Sequence, residues 1–125
     1  MILDTNAISA WADGQGDVIK LVPVSLAVAL PVICIGEYLW GLRNSRSRDA
    51  LQAWLADAIK VAVVLDITLS TTAAYAEVKS IVQAKGRPIP PNDAWIAALA
   101  LEHGMPVVSR DKHFDYIEGI ERIAW

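Results

Sequence analysis

Cysteine is almost absent from this sequence of 125 residues, which contains Cys34 alone. One cysteine cannot form a disulfide within the chain, so a disulfide framework is excluded and the reducing cytoplasm is the expected location. Long hydrophobic runs are also missing, because the longest, residues 26–35, is shorter than the ~20 residues that span a bilayer and is interrupted by Pro31. The first residues, MILDTN, place no basic segment ahead of an apolar one, so neither a signal peptide nor a membrane partner is expected.

Charged residues are also scarce, at 20% of the chain, whereas hydrophobic residues make up 54%. No linker, repeat or low-complexity tract interrupts the sequence, so residues 1–125 are expected to form a single domain. The apolar excess predicts a surface that a partner covers. We expect a homodimer that buries helix faces from the first third of the chain, with Trp11 and Trp40 among the candidates.

Short apolar segments alternate with segments of helical periodicity along the chain. The predicted strands are residues 1–3, 26–30, 61–65, 107–108 and 119–123. The predicted helices are residues 5–11, 17–22, 31–43, 47–59, 70–85 and 92–103. This alternation favours an α/β fold, a three-layer α/β/α sandwich around a short, mostly parallel central sheet.

Acidic residues occupy unusual places in this pattern. Asp4 and Asp111 follow predicted strands, whose carboxyl ends form the ligand-binding edge of a parallel sheet. Glu37 lies among apolar residues of a predicted helix, and Asp93 opens the most apolar helix of the chain. Taken singly, Asp4 and Asp93 could each be a helix cap, and Glu37 could be a solvated residue on a polar face. Together they predict one acidic cluster.

Three segments of the chain carry a family resemblance: MILDTNAISAW, PVICIGEYLWGLR and GRPIPPNDAWIAALALEHGMPVVSRDKHFDYI. In order, spacing and context they resemble the PIN-domain ribonucleases, particularly the VapC-type toxins of toxin–antitoxin pairs, from residue 1 to about residue 119. The resemblance implies that the catalytic, metal-binding quartet is formed by Asp4, Glu37, Asp93 and Asp111. It also implies that the metal site is flanked by Thr5, Asn6 and Ser109. Many members carry a hydroxyl residue just before the glutamate, where this chain has Cys34 and Gly36.

Four carboxylates in one place repel each other and need a cation. Oxygen ligands without histidine or cysteine select Mg²⁺ or Mn²⁺ over zinc. A metal-bound water can attack a phosphodiester, and a second metal could stabilise the leaving 3′ oxygen, so one metal and two remain alternatives. The resemblance implies hydrolysis of single-stranded RNA that leaves a 5′ phosphate and a 3′ hydroxyl, and it implies a cognate antitoxin protein as partner.

Basic residues lie close in sequence to the proposed ligands, although the net charge is −3. Removing the four proposed negative ligands changes the charge to +1, so the rest of the molecule is slightly basic. The candidates for contacts with RNA phosphates are Arg43, Arg87 and Arg110. Each of them alone could equally belong to a solvated basic face.

Several neighbours of the proposed site are expected to be less important. Asp115 competes with Asp111 for the fourth ligand position, but it lies beyond the strand end and is predicted to be a peripheral acid beside the ligands. His113 is expected to be a local hydrogen-bonding residue rather than a ligand or base, and His103 is expected to face elsewhere. Trp40 lies on the same helical face as the proposed glutamate ligand and is expected to line the site.

Three other functions are considered from the sequence. The chain could be a catalytically silent PIN-like module that only binds a partner, although the complete quartet argues against it. It could also be a housekeeping RNA-processing nuclease without an antitoxin. A phosphotransfer enzyme with Asp4 as nucleophile is disfavoured, because Asn6 stands where that chemistry needs a second aspartate and because Glu37 has no role in it.

Overall fold

The computed structural model describes residues 1–25 and 27–125, which form five short strands and six α-helices. The strands are β1 (Ile2–Leu3), β2 (Ala29–Pro31), β3 (Val63–Leu65), β4 (Val107–Val108) and β5 (Arg122–Ile123). The helices are α1 (Thr5–Ala12), α2 (Val18–Val24), α3 (Val32–Gly41), α4 (Arg48–Val61), α5 (Leu69–Ala84) and α6 (Pro91–His103). Two 3₁₀ turns span Leu42–Asn44 and Lys112–Tyr116. The predicted strand at 26–30 includes Leu26, which lies outside the described residues.

The five strands form one sheet in the order β3-β2-β1-β4-β5, and every neighbouring pair runs parallel. Strand β1 is central, because Ile2 pairs with Ala29 of β2 on one side and with Val107 of β4 on the other. Helices flank this sheet, so the predicted three-layer α/β fold is confirmed. No helix among the described residues combines the length and apolar character that crossing a membrane requires.

The central strands are buried on both faces, as expected for a parallel sheet that is covered by helices. Their fully buried side chains are Ile2, Leu3, Ala29, Leu30, Val107 and Val108. The amino group of Met1 donates a hydrogen bond of 2.8 Å to the carbonyl of Ala27 and so extends the pairing of β1 with β2. The strands are short, and therefore the residues that follow β1 and β4 reach the edge of the sheet almost at once.

Pro31 lies at the end of β2 rather than in the first turn of α3, where the sequence pattern placed it. Its ψ of 138° is extended, and α3 begins at the next residue. A proline fits this position because it cannot donate a hydrogen bond within a sheet and is tolerated where a strand terminates. The helix that carries Glu37 therefore starts directly at the carboxyl edge of the sheet.

Helix α6 is packed against α5 along its length. Tyr75 of α5 stacks on Trp95 of α6 with ring centroids 3.9 Å apart. At the other end of α6, Glu102 accepts hydrogen bonds from Ser70 and from Thr71, the latter at 2.6 Å. These contacts orient α6 so that its amino-terminal turn, which carries Asp93, faces the carboxyl edge of the sheet.

The two tryptophans of the predicted dimer surface have different environments. Trp11 of α1 is half-buried and packs edge-to-face against Trp54 of α4, with ring centroids 5.0 Å apart. Trp40 of α3 is 77% exposed. The apolar surface of Trp11 is thus partly covered within the chain, whereas that of Trp40 is not.

Candidate active site

Asp4 occupies the end of the central strand and the start of α1. Its Oδ1 accepts a hydrogen bond of 2.7 Å from the amide of Ala7, so Asp4 does cap this helix. The side chain is nevertheless only 6% exposed and lies in a cleft with other acids. Burial raises the pKa of Asp4, with a further increase from Asp93 and Asp111, while the Ser109 hydroxyl and the Ala7 amide lower it. Capping and a role in the acidic cluster are therefore compatible.

Glu37 is held by two neutral donors from separate helices. The hydroxyl of Thr5 donates to Glu37 Oε2 at 2.5 Å, and the side-chain amide of Asn92 donates to Glu37 Oε1. Glu37 is thus oriented by α1 and α6 and is not a freely solvated residue. Thr5 was predicted to flank the metal site, whereas Asn92 was missed, and the only signal for it in the sequence is its position directly before Asp93.

Asp93 and Asp111 meet at His113. The Nδ1 atom of His113 lies 3.0 Å from Asp93 Oδ2 and 3.0 Å from Asp111 Oδ1. Helix α6 begins after Pro90 without a side-chain cap, so Asp93 does not serve as the cap that its position suggested. Burial raises the pKa of Asp93, and Asp111 and Glu37 raise it further, whereas the hydrogen bond and the charge of His113 lower it.

Ser109 is fully buried between β4 and the acidic cluster. Its hydroxyl accepts a hydrogen bond of 2.9 Å from the amide of Asp111, which turns the chain as it leaves β4. Asp111 Oδ1 in turn accepts a hydrogen bond of 2.9 Å from the backbone amide of His113 and caps the 3₁₀ turn that follows. Ser109 therefore lies where the resemblance placed it, beside the acids.

One cleft of about 310 Å³ contains all four predicted ligands. Its lining residues are Asp4, Thr5, Asn6, Glu37, Trp40, Gly41, Asp93, Ile96 and Asp111. Trp40 forms part of the wall, as expected from its spacing to Glu37. Burial also raises the pKa of the nearby Cys34 thiol, which remains protonated in the core.

The donor set fits a divalent cation. Among the described residues, no lysine or arginine forms an ion pair with any of the four carboxylates, and the His113 ring is the basic group that contacts two of them, Asp93 and Asp111. Asp4 is buried, and Glu37, Asp93 and Asp111 are partly buried. Carboxylates crowded in this way without a cationic partner are costly to ionise unless a cation compensates for them. Their hard oxygen atoms are the ligands that Mg²⁺ and Mn²⁺ accept.

Asp115 lies outside the cleft. Its two oxygens bind the guanidinium of Arg122 at 2.6 and 2.9 Å, and Arg122 also donates to the carbonyl of Ser109 at 3.1 Å. Asp115 therefore supports the chain beside the site through Arg122, and it contacts none of the four ligands. It is peripheral to the cleft. His103 also lies away from the cleft, 3.8 Å from Glu102 at the end of α6.

The three candidate arginines have different positions. Arg43 is exposed in a groove of about 340 Å³ that shares Trp40 with the acidic cleft. The guanidinium of Arg87 lies 4.2 Å from the ring centre of Tyr116, and that of Arg110 lies 3.7 Å from the ring of Trp125. Only Arg43 among the three therefore lines a surface that continues from the cleft.

Comparison with known proteins places these residues in a family. The PIN domain matches residues 1–120. The chain belongs to the PIN-domain family. This confirms the family that the sequence motifs indicated.

Curated relatives cover nearly the whole chain. Ribonuclease VapC5 of Mycobacterium tuberculosis is 28% identical over 120 residues, which span 94% of this chain and 87% of that protein. Ribonuclease VapC2 of Rickettsia felis is 25% identical, over 99% of this chain and 96% of its own. The plasmid stability protein StbB of Pseudomonas syringae pv. tomato is 30% identical, over 89% of this chain and 87% of its own.

Solved structures share the fold. The chain matches VapBC2 of Rickettsia felis bound to a promoter DNA fragment with a TM-score of 0.85 at 22% identity, over 99% of this chain and 97% of that one. It matches FitAcB of Neisseria gonorrhoeae with a TM-score of 0.84 at 26% identity, over 98% and 95% of the two chains. The architecture of this PIN domain is therefore shared with these solved structures.

The raised pKa of Asp93 predicts how the metal-free protein responds to the substitution Asp93→Asn. A folded pKa above 3.8 means that the charged carboxylate costs stability at neutral pH, and this cost fades as the pH falls through the folded pKa. In EDTA at pH 7, the Asp93→Asn protein should therefore melt at a higher temperature than wild type, and the difference should shrink towards pH 4. Thermal unfolding followed by circular dichroism measures it.

Asp115→Asn is the matched control for this experiment. Arg122 holds the pKa of Asp115 below its usual value, so loss of that charge removes a favourable contact and should not raise the melting temperature. An Asp93→Asn protein that melts below wild type in EDTA at pH 7 would contradict the electrostatic account.

Proposed function

We propose that this PIN-domain chain is a metal-dependent endoribonuclease that hydrolyses single-stranded RNA and acts as the toxin of a toxin–antitoxin pair. One observation carries the proposal: Asp4, Glu37, Asp93 and Asp111 line a single cleft in which no lysine or arginine of the described residues forms an ion pair with them. The ribonuclease names of curated relatives VapC5 and VapC2 support RNA as the substrate.

The four carboxylates would hold Mg²⁺ or Mn²⁺. When bound, such an ion supplies an activated water for attack on the phosphodiester, with a 5′ phosphate and a 3′ hydroxyl as products. The protein contributes orientation: Thr5 and Asn92 fix both oxygens of Glu37, and the Ala7 amide fixes one oxygen of Asp4. Because these donors are neutral, the carboxylates keep their charge for the metal.

The RNA strand is proposed to continue from the cleft into the adjoining groove. Trp40 separates the two and offers an exposed ring on which a base can stack, and Arg43 and Arg48 supply positive charge. Stacking and phosphate contacts of this kind bind single strands without base readout. We propose a smaller contribution from Arg87 and Arg110, because each lies against an aromatic ring and lines neither surface.

A cognate antitoxin is the proposed protein partner. The similar structure VapBC-5 of Mycobacterium tuberculosis is described as a member of the VapBC family of toxin–antitoxin systems, and that likeness supports an antitoxin that covers the acidic cleft of this chain. A silent interaction module is less consistent with four carboxylates retained in one cleft. Whether the neighbouring reading frame encodes an antitoxin distinguishes a housekeeping nuclease from a toxin.

We propose the cytoplasm as the location, where a buried free Cys34 stays reduced.

Cleavage should require both metal and Asp111. Excess EDTA should abolish cleavage of single-stranded RNA by the purified protein, and Mg²⁺ or Mn²⁺ should restore it. Asp111→Asn should lower the rate by more than ~100-fold, since even residues that only support metal ligands cost 10–100-fold when changed. Gel analysis of end-labelled RNA measures both effects.

The control is Asp115→Asn, which removes a carboxylate that binds Arg122 instead of lining the cleft. This variant should retain most of the activity. Undiminished cleavage in EDTA, or a larger loss for Asp115→Asn than for Asp111→Asn, would overturn the proposed site.

Arg43 should contribute a phosphate contact. In the Asp111→Asn background, which binds without cleaving, Arg43→Gln should weaken binding of a fluorescent single-stranded RNA and reduce the salt slope of the binding constant by about 0.7, the value for one phosphate on a single strand. Trp40→Ala should weaken binding by at least about fivefold, the lower limit for loss of one stacked base. Arg46→Gln is the control, because Arg46 is exposed but lines neither the cleft nor the adjoining groove. If Arg46→Gln weakened RNA binding as much as Arg43→Gln does, the proposed path of the RNA through the groove would be contradicted.

A homodimer is proposed through an apolar patch formed by α1, α2, the residue before β2 and the end of α4. The patch borders a groove of about 190 Å³ and includes Trp11, Val22, Val28, Val61 and Ala62. Val61 is 81% exposed, and burial of such side chains stabilises a dimer by about 25 cal/mol per Å² of apolar surface removed from water.

Sedimentation should show a dimer at micromolar concentration that Val61→Glu dissociates. Leu69→Glu should not, since Leu69 is 88% exposed on α5 outside the patch; a monomeric wild type would refute the dimer.

A further inference from the structure

His113 brings a nitrogen atom to an otherwise all-oxygen cluster. Its Nδ1 is 3.0 Å from one carboxylate oxygen of Asp93 and 3.0 Å from one of Asp111. One ligating atom from each of these three residues lies within 4.8 Å of the others. His113 therefore contacts two of the four predicted ligands, where the sequence predicted a local hydrogen-bonding residue.

The two distances from His113 Nδ1 to the carboxylate oxygens match the spacing of neighbouring ligands around a transition metal. Such ions hold imidazole nitrogen and carboxylate oxygen at about 2.0–2.2 Å, which puts adjacent ligand atoms ~3 Å apart when they subtend a right angle. The two Nδ1 distances of 3.0 Å have this value. The nitrogen is therefore close enough to both carboxylates to share one cation with them.

The orientation of the ring also favours ligation once a cation is present. Without metal, Nδ1 can donate a proton to either carboxylate. A cation bound by Asp93 and Asp111 would lie next to Nδ1, where an N–H group directed at it is repelled and a lone pair is attracted. The ring is 37% exposed, so water can accommodate the proton on Nε2.

The local backbone fixes His113 relative to Asp111. The His113 amide donates to Asp111 Oδ1 at 2.9 Å within the 3₁₀ turn Lys112–Tyr116. The next residue, Phe114, is fully buried and anchors this turn in the core. The backbone of His113 is thus held beside Asp111, which distinguishes this residue from a histidine on a mobile surface loop.

We propose that His113 Nδ1 is a metal ligand together with Asp93 and Asp111, and that it makes this centre prefer later first-row transition ions such as Co²⁺ over Mg²⁺. The inference rests on the proposed function in assuming that this cleft is the metal site. Imidazole is a good ligand for transition ions and a poor one for Mg²⁺, which favours oxygen.

Pulsed electron paramagnetic resonance of the Mn²⁺-loaded protein tests the proposal directly. The chain has two histidines, so with no histidine tag an imidazole ¹⁴N coupling to the ion comes from His103 or His113. The coupling should be present in wild type and in His103→Gln, and it should disappear in His113→Gln. Absence of the coupling from wild type would overturn the proposal, and this result does not depend on whether any variant folds.

Calorimetric titration tests the metal preference. His113→Gln should weaken Co²⁺ binding by at least about tenfold and change Mg²⁺ binding by less than about twofold, because only the former depends on the nitrogen. His103→Gln should change neither. Equal losses for both ions in His113→Gln would overturn the proposal and leave His113 as a hydrogen-bond donor that positions the two aspartates.

RNA cleavage separates this inference from the proposed function. A protein that shows the ¹⁴N coupling but cleaves no RNA would refute the ribonuclease proposal and support His113 as a ligand. A protein that cleaves RNA with Mn²⁺ but shows no coupling would support the nuclease and refute the role of His113.

Discussion

Repulsion between carboxylates at one edge of a buried sheet is the constraint on which this structure depends. Strands β1 and β4 are parallel neighbours, so the residues that follow them, Asp4 and Asp111, must leave the sheet on the same side. Helices α3 and α6 add Glu37 and Asp93 to that side. Water is partly excluded there, and burial raises the pKa values of Asp4 and Asp93. The hydrophobic core holds these charges together, and a divalent cation would relieve the cost.

The way in which the acids are held preserves their charge. Glu37 accepts hydrogen bonds from Thr5 and Asn92, and Asp4 accepts one from a backbone amide. These donors are neutral, so they orient the carboxylate oxygens without cancelling their negative charge, as an arginine or a lysine would. An arginine lies outside the ring of four carboxylates, where Arg122 binds Asp115 and the carbonyl of Ser109. A metal site needs this separation, because a carboxylate that is already paired with a cationic side chain is a weaker ligand.

The apolar excess of the sequence has more than one cause. Some of the large aromatic residues pack within the chain, as the contacts of Trp11 with Trp54 and of Tyr75 with Trp95 show. Trp40 remains exposed at the wall of the acidic cleft, where its ring continues into a groove with Arg43. Val61, at the end of α4, is exposed in a separate patch. A single dimer surface therefore does not explain the whole excess.

The sequence by itself determined the α/β alternation, the family and the four carboxylates that line the acidic cleft, because these depend on local periodicity and on short motifs. The spacing of Trp40 from Glu37 along one helix was likewise sufficient to place it beside the site. Other contacts depended on the tertiary structure. Asn92 could be assigned to Glu37 only after α3 and α6 were packed, since 55 residues separate the two.

The contact of His113 with Asp93 shows why other parts of the site could not be predicted from the sequence. Its separation from Asp111 is two residues, but its approach to Asp93, 20 residues away, depends on how the 3₁₀ turn is anchored against α6. The arginines show the same limit, because proximity in sequence placed Arg87 and Arg110 near the ligands while Tyr116 and Trp125 hold them elsewhere. The sequence determined which groups were available, and the packing of helices on the sheet decided which of them meet.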